Sequence, residues 1–309
     1  MSSIPDLVVV GTLAFDDIET PAGRRSGLLG GSATYFSVAA SSLCKVGLVG
    51  VVGADFPAAS RMLLEGRGVD TRGLEVKADG RTFHWAGRYE GAMDQAQTLA
   101  TDLNVLSTFT PRLPEDFRRA RAVFLANIDP TIQGAVLDQL LPPEGGGPRL
   151  VAMDTMNLWI QVAQPALRKV LARVDGLFLN DAEARQLTGK GNLVAAGKAL
   201  LGLGPRFVIV KKGEHGSFLF SPERFYALPS FPVEEVVDPT GAGDTFAGAV
   251  MGFAATSARH DAARLCEAML YGTAMASFTV SDFSLDALRG LQRAQIERRV
   301  EDLRRFVQP

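Results

Sequence analysis

Twelve consecutive residues concentrate the chemistry of this chain: Asp238-Pro239-Thr240-Gly241-Ala242-Gly243-Asp244-Thr245-Phe246-Ala247-Gly248-Ala249. The stretch reads as the start of a helix. Such a start offers unpaired backbone N–H groups and the positive end of the helix dipole, and so attracts phosphate. Gly241 and Gly243 remove side chains there, letting the amides of Gly241, Ala242 and Gly243 close on an anion. Asp244 lies in the same opening turn. A carboxylate binds phosphate poorly, but it is well placed to take the proton of a hydroxyl that attacks one. Complementing the helix dipole would account for Asp244 alone, at under about 1 kcal/mol. It leaves unexplained two glycines that cost backbone entropy and pack nothing. The residues point to phosphoryl transfer to an alcohol. Asp238, ahead of Pro239, either holds the turn or exposes a carbonyl to a cation.

The elements that must position this turn are legible as short apolar runs. Leu7–Val10, Val46–Val52, Ala122–Leu125, Leu150–Met153, Gly176–Leu179 and Phe207–Val210 read as strands buried on both faces. Between them, Ser32–Ser42, Ala58–Arg67, Ile132–Leu141, Pro165–Val174, Asp181–Leu187, Asn192–Leu201 and Asp244–Thr256 read as helices. Asp261–Phe278 and Asp286–Phe306 follow as helices. Alternating strands and helices predict an α/β fold with a mostly parallel sheet covered on both sides. Leu13–Leu29 and Thr82–Leu106 break the rhythm with period-two alternation and turn signals. They read as two surface hairpins, or as one small sheet that covers the site as a lid.

Composition narrows the function classes. The 309 residues carry 32 Lys+Arg against 34 Asp+Glu, a net charge of -2 that gives no sign of a nucleic-acid partner. The two cysteines, Cys44 and Cys266, predict no disulfide framework. No apolar run is long enough to span a bilayer, and the N-terminus lacks the pattern of a leader, so a cytoplasmic protein is expected. Neither common nucleotide motif is present. Gly191…Gly197-Lys198 has the wrong spacing for a P-loop and ends in Ala199, and Gly11-Thr12-Leu13-Ala14 is not a dinucleotide fingerprint. His84, His215 and His260 lack metal-ligand spacing.

Other marks accompany the catalytic turn in order along the chain. Gly30-Gly31 precedes a helix, Asn180-Asp181-Ala182-Glu183 opens another, and Lys212-Gly213-Glu214-His215-Gly216 follows a late strand. Together with Asp238–Ala249 these resemble the signatures of the PfkB (ribokinase-like) carbohydrate kinases over the full length. The resemblance implies a three-layer α/β/α fold with a mostly parallel central sheet and a small β-sheet lid. The core would span 1–12, 30–74 and 106–309, and the lid 13–29 and 75–105. It implies an ATP-dependent kinase acting on a hydroxyl of a small sugar, with a nucleoside kinase of the same fold as alternative and a non-catalytic binding relative as the third.

Site residues carry over by position. Asp244 would be the base, and the amides of Gly241, Ala242 and Gly243 the anion hole. Asp16, Gly30, Gly31, Tyr35 and Asn127 would hold the substrate. Asn180, Lys211, Lys212, Gly213, Gly216 and Gly243 would line the nucleotide. Glu183 would organise Mg²⁺ through water; taken alone, Asn180 and Glu183 read as a capping box. Asp238 and Thr240 are candidates for a monovalent cation, potassium. Two departures stand out. Tyr35 replaces an asparagine that commonly contacts a sugar hydroxyl, so it either stacks on a ring or fills the core. Ser281-Asp282-Phe283 falls where many members carry a glycine near the cation. Phe83, Trp85 and Tyr89 alternate in the lid segment as packing or substrate contacts. Asp129, Asp154 and Asn157 are second-tier substrate contacts. A homodimer through the lid is expected by the same resemblance.

Overall fold

The computed structural model describes residues 4–93 and 95–307. The chain opens with β1 (Leu7–Val10), an antiparallel hairpin of β2 (Ala14–Thr20) and β3 (Gly23–Gly30), and helix α1 (Ser32–Ser41). β4 (Val46–Gly53), α2 (Ala58–Gly66) and β5 (Asp70–Lys77) precede a second hairpin, β6 (Phe83–Tyr89) and β7 (Ala96–Asp102). Then come β8 (Ala122–Leu125), α3 (Pro130–Leu137), β9 (Leu150–Asp154), α4 (Asn157–Val162), α5 (Gln164–Leu171) and β10 (Gly176–Asn180). α6 (Asp181–Thr188), α7 (Leu193–Leu201), β11 (Phe207–Lys211) and the hairpin β12 (Ser217–Phe220)–β13 (Phe225–Leu228) follow. α8 (Ala242–Ala255), α9 (Ala262–Thr279), α10 (Asp286–Arg289) and α11 (Arg293–Val307) complete the chain.

Nine strands form one sheet in the order β13-β12-β11-β10-β9-β8-β1-β4-β5, parallel from β11 to β5. Runs such as Leu-Val-Val-Val in β1 are buried throughout because helices cover both faces. One face packs on α1, α8, α9 and α11 through Phe36, Val250, Met275 and Leu303. The other packs on α3, α5, α6 and α7 through Val136, Leu167, Leu187 and Leu200. The two hairpins pair into a second sheet, β3-β2-β6-β7, whose central pair β2–β6 is parallel. The two interruptions of the core are thus one small sheet, the lid.

Three details differ from the sequence reading. β5 is the edge of the large sheet, so the expected lid boundary at residue 75 falls inside it. Its Asp-Thr-Arg-Gly-Leu-Glu-Val-Lys sequence is half polar, as an edge strand tolerates, and lacks the continuous apolar run that marks the buried strands. The helix expected over Asp286–Phe306 is two helices parted at Gly290–Gln292, the glycine favouring the break. α4 forms where only a polar loop end was read.

α1 and α8 pack closely enough to set the site. A side chain on Gly248 would overlap the Phe36 carbonyl, and one on Gly252 would stand 3.1 Å from Ala40 Cα. The two glycines, one turn apart, let α8 lie against the α1 backbone and bring both helix N-termini to one crevice.

Candidate active site

The order of the large sheet turns at β1. The chain runs from β1 outward to β4 and β5, then returns to place β8 on the other side. The crevice beyond the carboxyl ends of such strands is where ligands bind in open α/β sheets. Asp16, Gly30, Gly31 and Asn127 border it from β2, β3, the start of α1 and the end of β8.

The opening of α8 forms the floor. Gly241 has φ 74°, and a side chain there would also overlap the ring of Tyr35. Tyr35 is 1% exposed, so its ring backs the catalytic turn and fills the core. Its hydroxyl has no hydrogen-bond partner among the described residues, and burial followed by the charges of Asp16 and Asp238 pushes its pKa up. The N–H of Ala242 donates to the Pro239 carbonyl at 3.2 Å. Those of Gly241, Gly243 and Asp244 meet no acceptor among the described residues. The free donors are therefore not the expected set: Ala242 is spent on the turn, and Asp244 contributes its own amide. Burial, then the Asp154 charge, raises the Asp244 carboxyl to about 7, with Lys211 opposing.

Asp238 clamps the loop before α8. It is fully buried, and its two oxygens accept from Thr240 N at 2.9 Å and Ser284 N at 3.0 Å. Ser284 holds φ 54°, and its hydroxyl donates to the Leu29 carbonyl at 2.6 Å. Thr240 in turn donates to the Tyr89 hydroxyl at 3.2 Å, which ties the end of β6 to the catalytic loop. Asp16 lies in the facing wall, 3% exposed. Burial, then the charges of Asp238 and Asp244, raises its carboxyl to about 8, while a bond from the Gly31 amide opposes the shift. Gly30 is bare because a side chain would overlap the Asp16 carboxylate; Gly31 has φ 93°. Trp85 is in register with Asp16 across β2–β6, so indole and carboxylate share one lid face. The indole N–H donates to Thr98 at 3.3 Å.

Asn127 accepts from the Trp159 indole at 2.9 Å and donates toward Met156 Sδ at 3.2 Å, so its amide is oriented by α4 and the residue before it. Asp129 accepts from the Thr131 amide and caps α3, while Asn157 accepts from the amide of its neighbour Leu158.

A second group of polar residues gathers at the ends of β9, β10 and β11. Asn180 and Glu183 make a reciprocal capping box, with Glu183 N to Asn180 Oδ1 and Asn180 N to Glu183 Oε2 both at 2.8 Å. One Glu183 oxygen remains, and burial, then Asp154, raises the carboxyl to about 7. Three carboxylates, Asp154, Glu183 and Asp244, thus act on the one ammonium of Lys211. That surplus of negative charge fits a divalent cation. Among the described residues no three His, Cys, Asp or Glu side chains form a metal cage. Such a donor set suits magnesium, which keeps several waters and is shared with substrate phosphates. Gly213 has φ 54°, and a side chain on Gly216 would overlap the Leu228 carbonyl, so both glycines are required by the loop. The ammonium of Lys212 lies 3.9 Å from the centre of the Phe218 ring and bonds the His215 carbonyl, away from α8.

Sequence reasoning missed Ser284, the Tyr89–Thr240 link and the Lys211–Asp154 pair at 2.9 Å. No local pattern announces them, since each joins segments far apart in the chain.

Known proteins share this fold and its sequence pattern. Residues 7–288 match the profile described as pfkB family carbohydrate kinase. A cytidine kinase of Thermococcus kodakarensis is 32% identical over 248 residues, 79% of this chain and 86% of that protein. A nucleoside kinase of Methanothermobacter thermautotrophicus is 28% identical, covering 91% of each chain. Among solved structures, an E. coli chain in complex with ATP and Mg²⁺ superposes with TM-score 0.76 at 20% identity, over 98% of this chain and 100% of that one.

Proposed function

Because the chain belongs to the pfkB family of carbohydrate kinases, ATP-dependent phosphotransferases of sugars and nucleosides, we propose that its acceptor is a nucleoside, phosphorylated on the hydroxymethyl group of its ribose. The observation that carries this reading is Trp85. A half-buried indole, in register with Asp16 and lying over the bare backbone of Gly87, offers a flat apolar ring on the lid face that carries the acid. The likeness to cytidine and nucleoside kinases supports it.

In this reading Asp16 and the backbone of Gly30 and Gly31 take the ribose hydroxyls, with Asn127 at the side. Asp244 takes the proton of the attacking hydroxyl, at a pKa near working pH where a general base is most effective. The amides of Gly241, Gly243 and Asp244 receive the charge that develops on the phosphoryl oxygens. Asn180 and the Gly213–Gly216 loop border the nucleotide. Glu183 holds Mg²⁺ through water; the ion, when bound, neutralises charge shared between the phosphates. A potassium ion beside Asp238 and Thr240 belongs to the same reading, because the buried Asp238 is offset only by amides and a hydroxyl. Turnover in potassium chloride against choline chloride tests it. A homodimer through the lid also belongs here: β7 is exposed along its length and forms the sheet edge, a surface open to pairing. Sedimentation velocity tests that. A cytoplasmic setting supplies the ATP.

The deciding experiment measures ADP release with cytidine, uridine, adenosine, guanosine and inosine beside ribose, fructose and glucose. Nucleosides are expected to give the higher kcat/KM. Turnover confined to free sugars overturns the nucleoside assignment and leaves the family chemistry standing.

A further inference from the structure

We propose that Lys211 is a catalytic residue, its ammonium delivered by Asp154 to the first turn of α8 to meet the phosphoryl group as it moves. This rests on the phosphotransfer reading above. By the resemblance Lys211 lines the nucleotide with its neighbours, and its ammonium reaches Asp154 and the first turn of α8. Nζ lies 2.9 Å from Asp154 Oδ2 and 3.0 Å from where a Cβ on Gly243 would stand. Unlike Gly241, Gly243 has no positive φ, so its conformation does not demand a glycine. The lysine ammonium lies close against its bare backbone, so a methyl at 243 would displace the ammonium by a few tenths of an ångström.

The lysine's surroundings separate it from an ordinary ion pair. A buried pair is complete with one carboxylate and adds little net stability. Here the ammonium faces Asp154 on β9, Glu183 on α6 and Asp244 on α8. Burial works to lower its pKa, and the three carboxylates outweigh that, so it stays charged. The neighbouring Lys212 bonds its own loop, at the His215 carbonyl. Among the described residues Lys211 is the cation acting on Asp244. During transfer the acceptor oxygen bonds to the γ-phosphorus as the bond to the β–γ bridging oxygen breaks. ADP keeps that electron pair, and the acceptor proton passes to Asp244. Lys211 exchanges no proton. It holds the negative charge of the phosphoryl oxygens against the amides of Gly241 and Gly243, where the dipole alone would be opposed by three acids.

The test compares Lys211→Met, Lys211→Arg and Asp154→Asn with the unaltered chain. In Lys211→Met, kcat falls on the order of 10²-fold, while the nucleoside KM and ADP affinity stay near their original values. The acid limb of the kcat/KM profile moves to higher pH, because a positive charge beside Asp244 is gone. In Asp154→Asn it moves to lower pH, because a negative charge is gone. Lys211→Arg recovers the limb and part of kcat, and carries the test if methionine prevents folding. Undiminished kcat in Lys211→Met overturns the proposal. So does a loss of ADP affinity with kcat intact, which makes the lysine a nucleotide ligand only. Equal losses of thermal stability with unmoved limbs reduce it to a structural pair. An unaltered chain inert toward every acceptor instead overturns the phosphotransfer reading, a result distinct from all of these.

Discussion

At the scale of single residues, the working unit is a carboxylate whose ionisation lies inside the physiological range. Asp244 is raised to about 7 by burial and by Asp154, so in the proposed reading a rise in pH through that value converts it to the base. The rate should climb with pH through about 7 and then level. Asp244→Asn should lose at least about 10²-fold in kcat, in line with removal of a general base, while ADP binding measured by calorimetry persists. Retained turnover in that variant would remove Asp244 from the role. The set of free amides was not readable from sequence, because Ala242 spends its N–H on Pro239, but Gly241 was readable because its demand, a positive φ, is local. Tyr35 was not. Its position suggested a substrate contact, and only the packing shows its ring pressed behind Gly241.

At the scale of elements, the site is held by how α8 meets α1. A single methyl at Gly248 would overlap the Phe36 carbonyl, and a helix backbone has little room to yield. Gly248→Ala is therefore expected to cost about 1–3 kcal/mol, the usual range for overpacking. It should lower activity as well, because the same displacement moves the α8 start from Asp16. Chemical denaturation with a parallel activity assay checks both, and an unchanged midpoint would show that the helices part easily. The buried strands were legible because each is a continuous apolar run. β5 was not, since an edge strand needs no such run. The Lys211–Asp154 pair joins positions 57 apart in sequence. It becomes visible only once β9 and β11 are known to flank β10.

At the scale of the whole molecule, the free protein stores unfavourable charge. Asp16 is raised from 3.8 to about 8, Glu183 from 4.5 to about 7 and Asp244 from 3.8 to about 7. Each folded pKa lies above its unfolded value. The stability these groups contribute is full below about 4 and is lost as pH rises through 7 to 8. The melting temperature of the ligand-free chain should fall between pH 5.5 and 8.5, and Asp16→Asn should flatten that fall. A variant with an unchanged slope would place the strain elsewhere. The fold itself was readable in class and layer order from the alternation of apolar runs and helical periods. How the two hairpins pair was not, because a parallel β2–β6 contact leaves no turn signal between its strands.

The bond from Ser284 to Asp238 sets an order on biosynthesis. A ribosome makes Asp16 early and Asp244 late, and the segment that fastens the loop before α8 later still. A growing chain can bury its sheet strand by strand while its catalytic turn stays unfastened. The bond can form only once the chain has been made past residue 284.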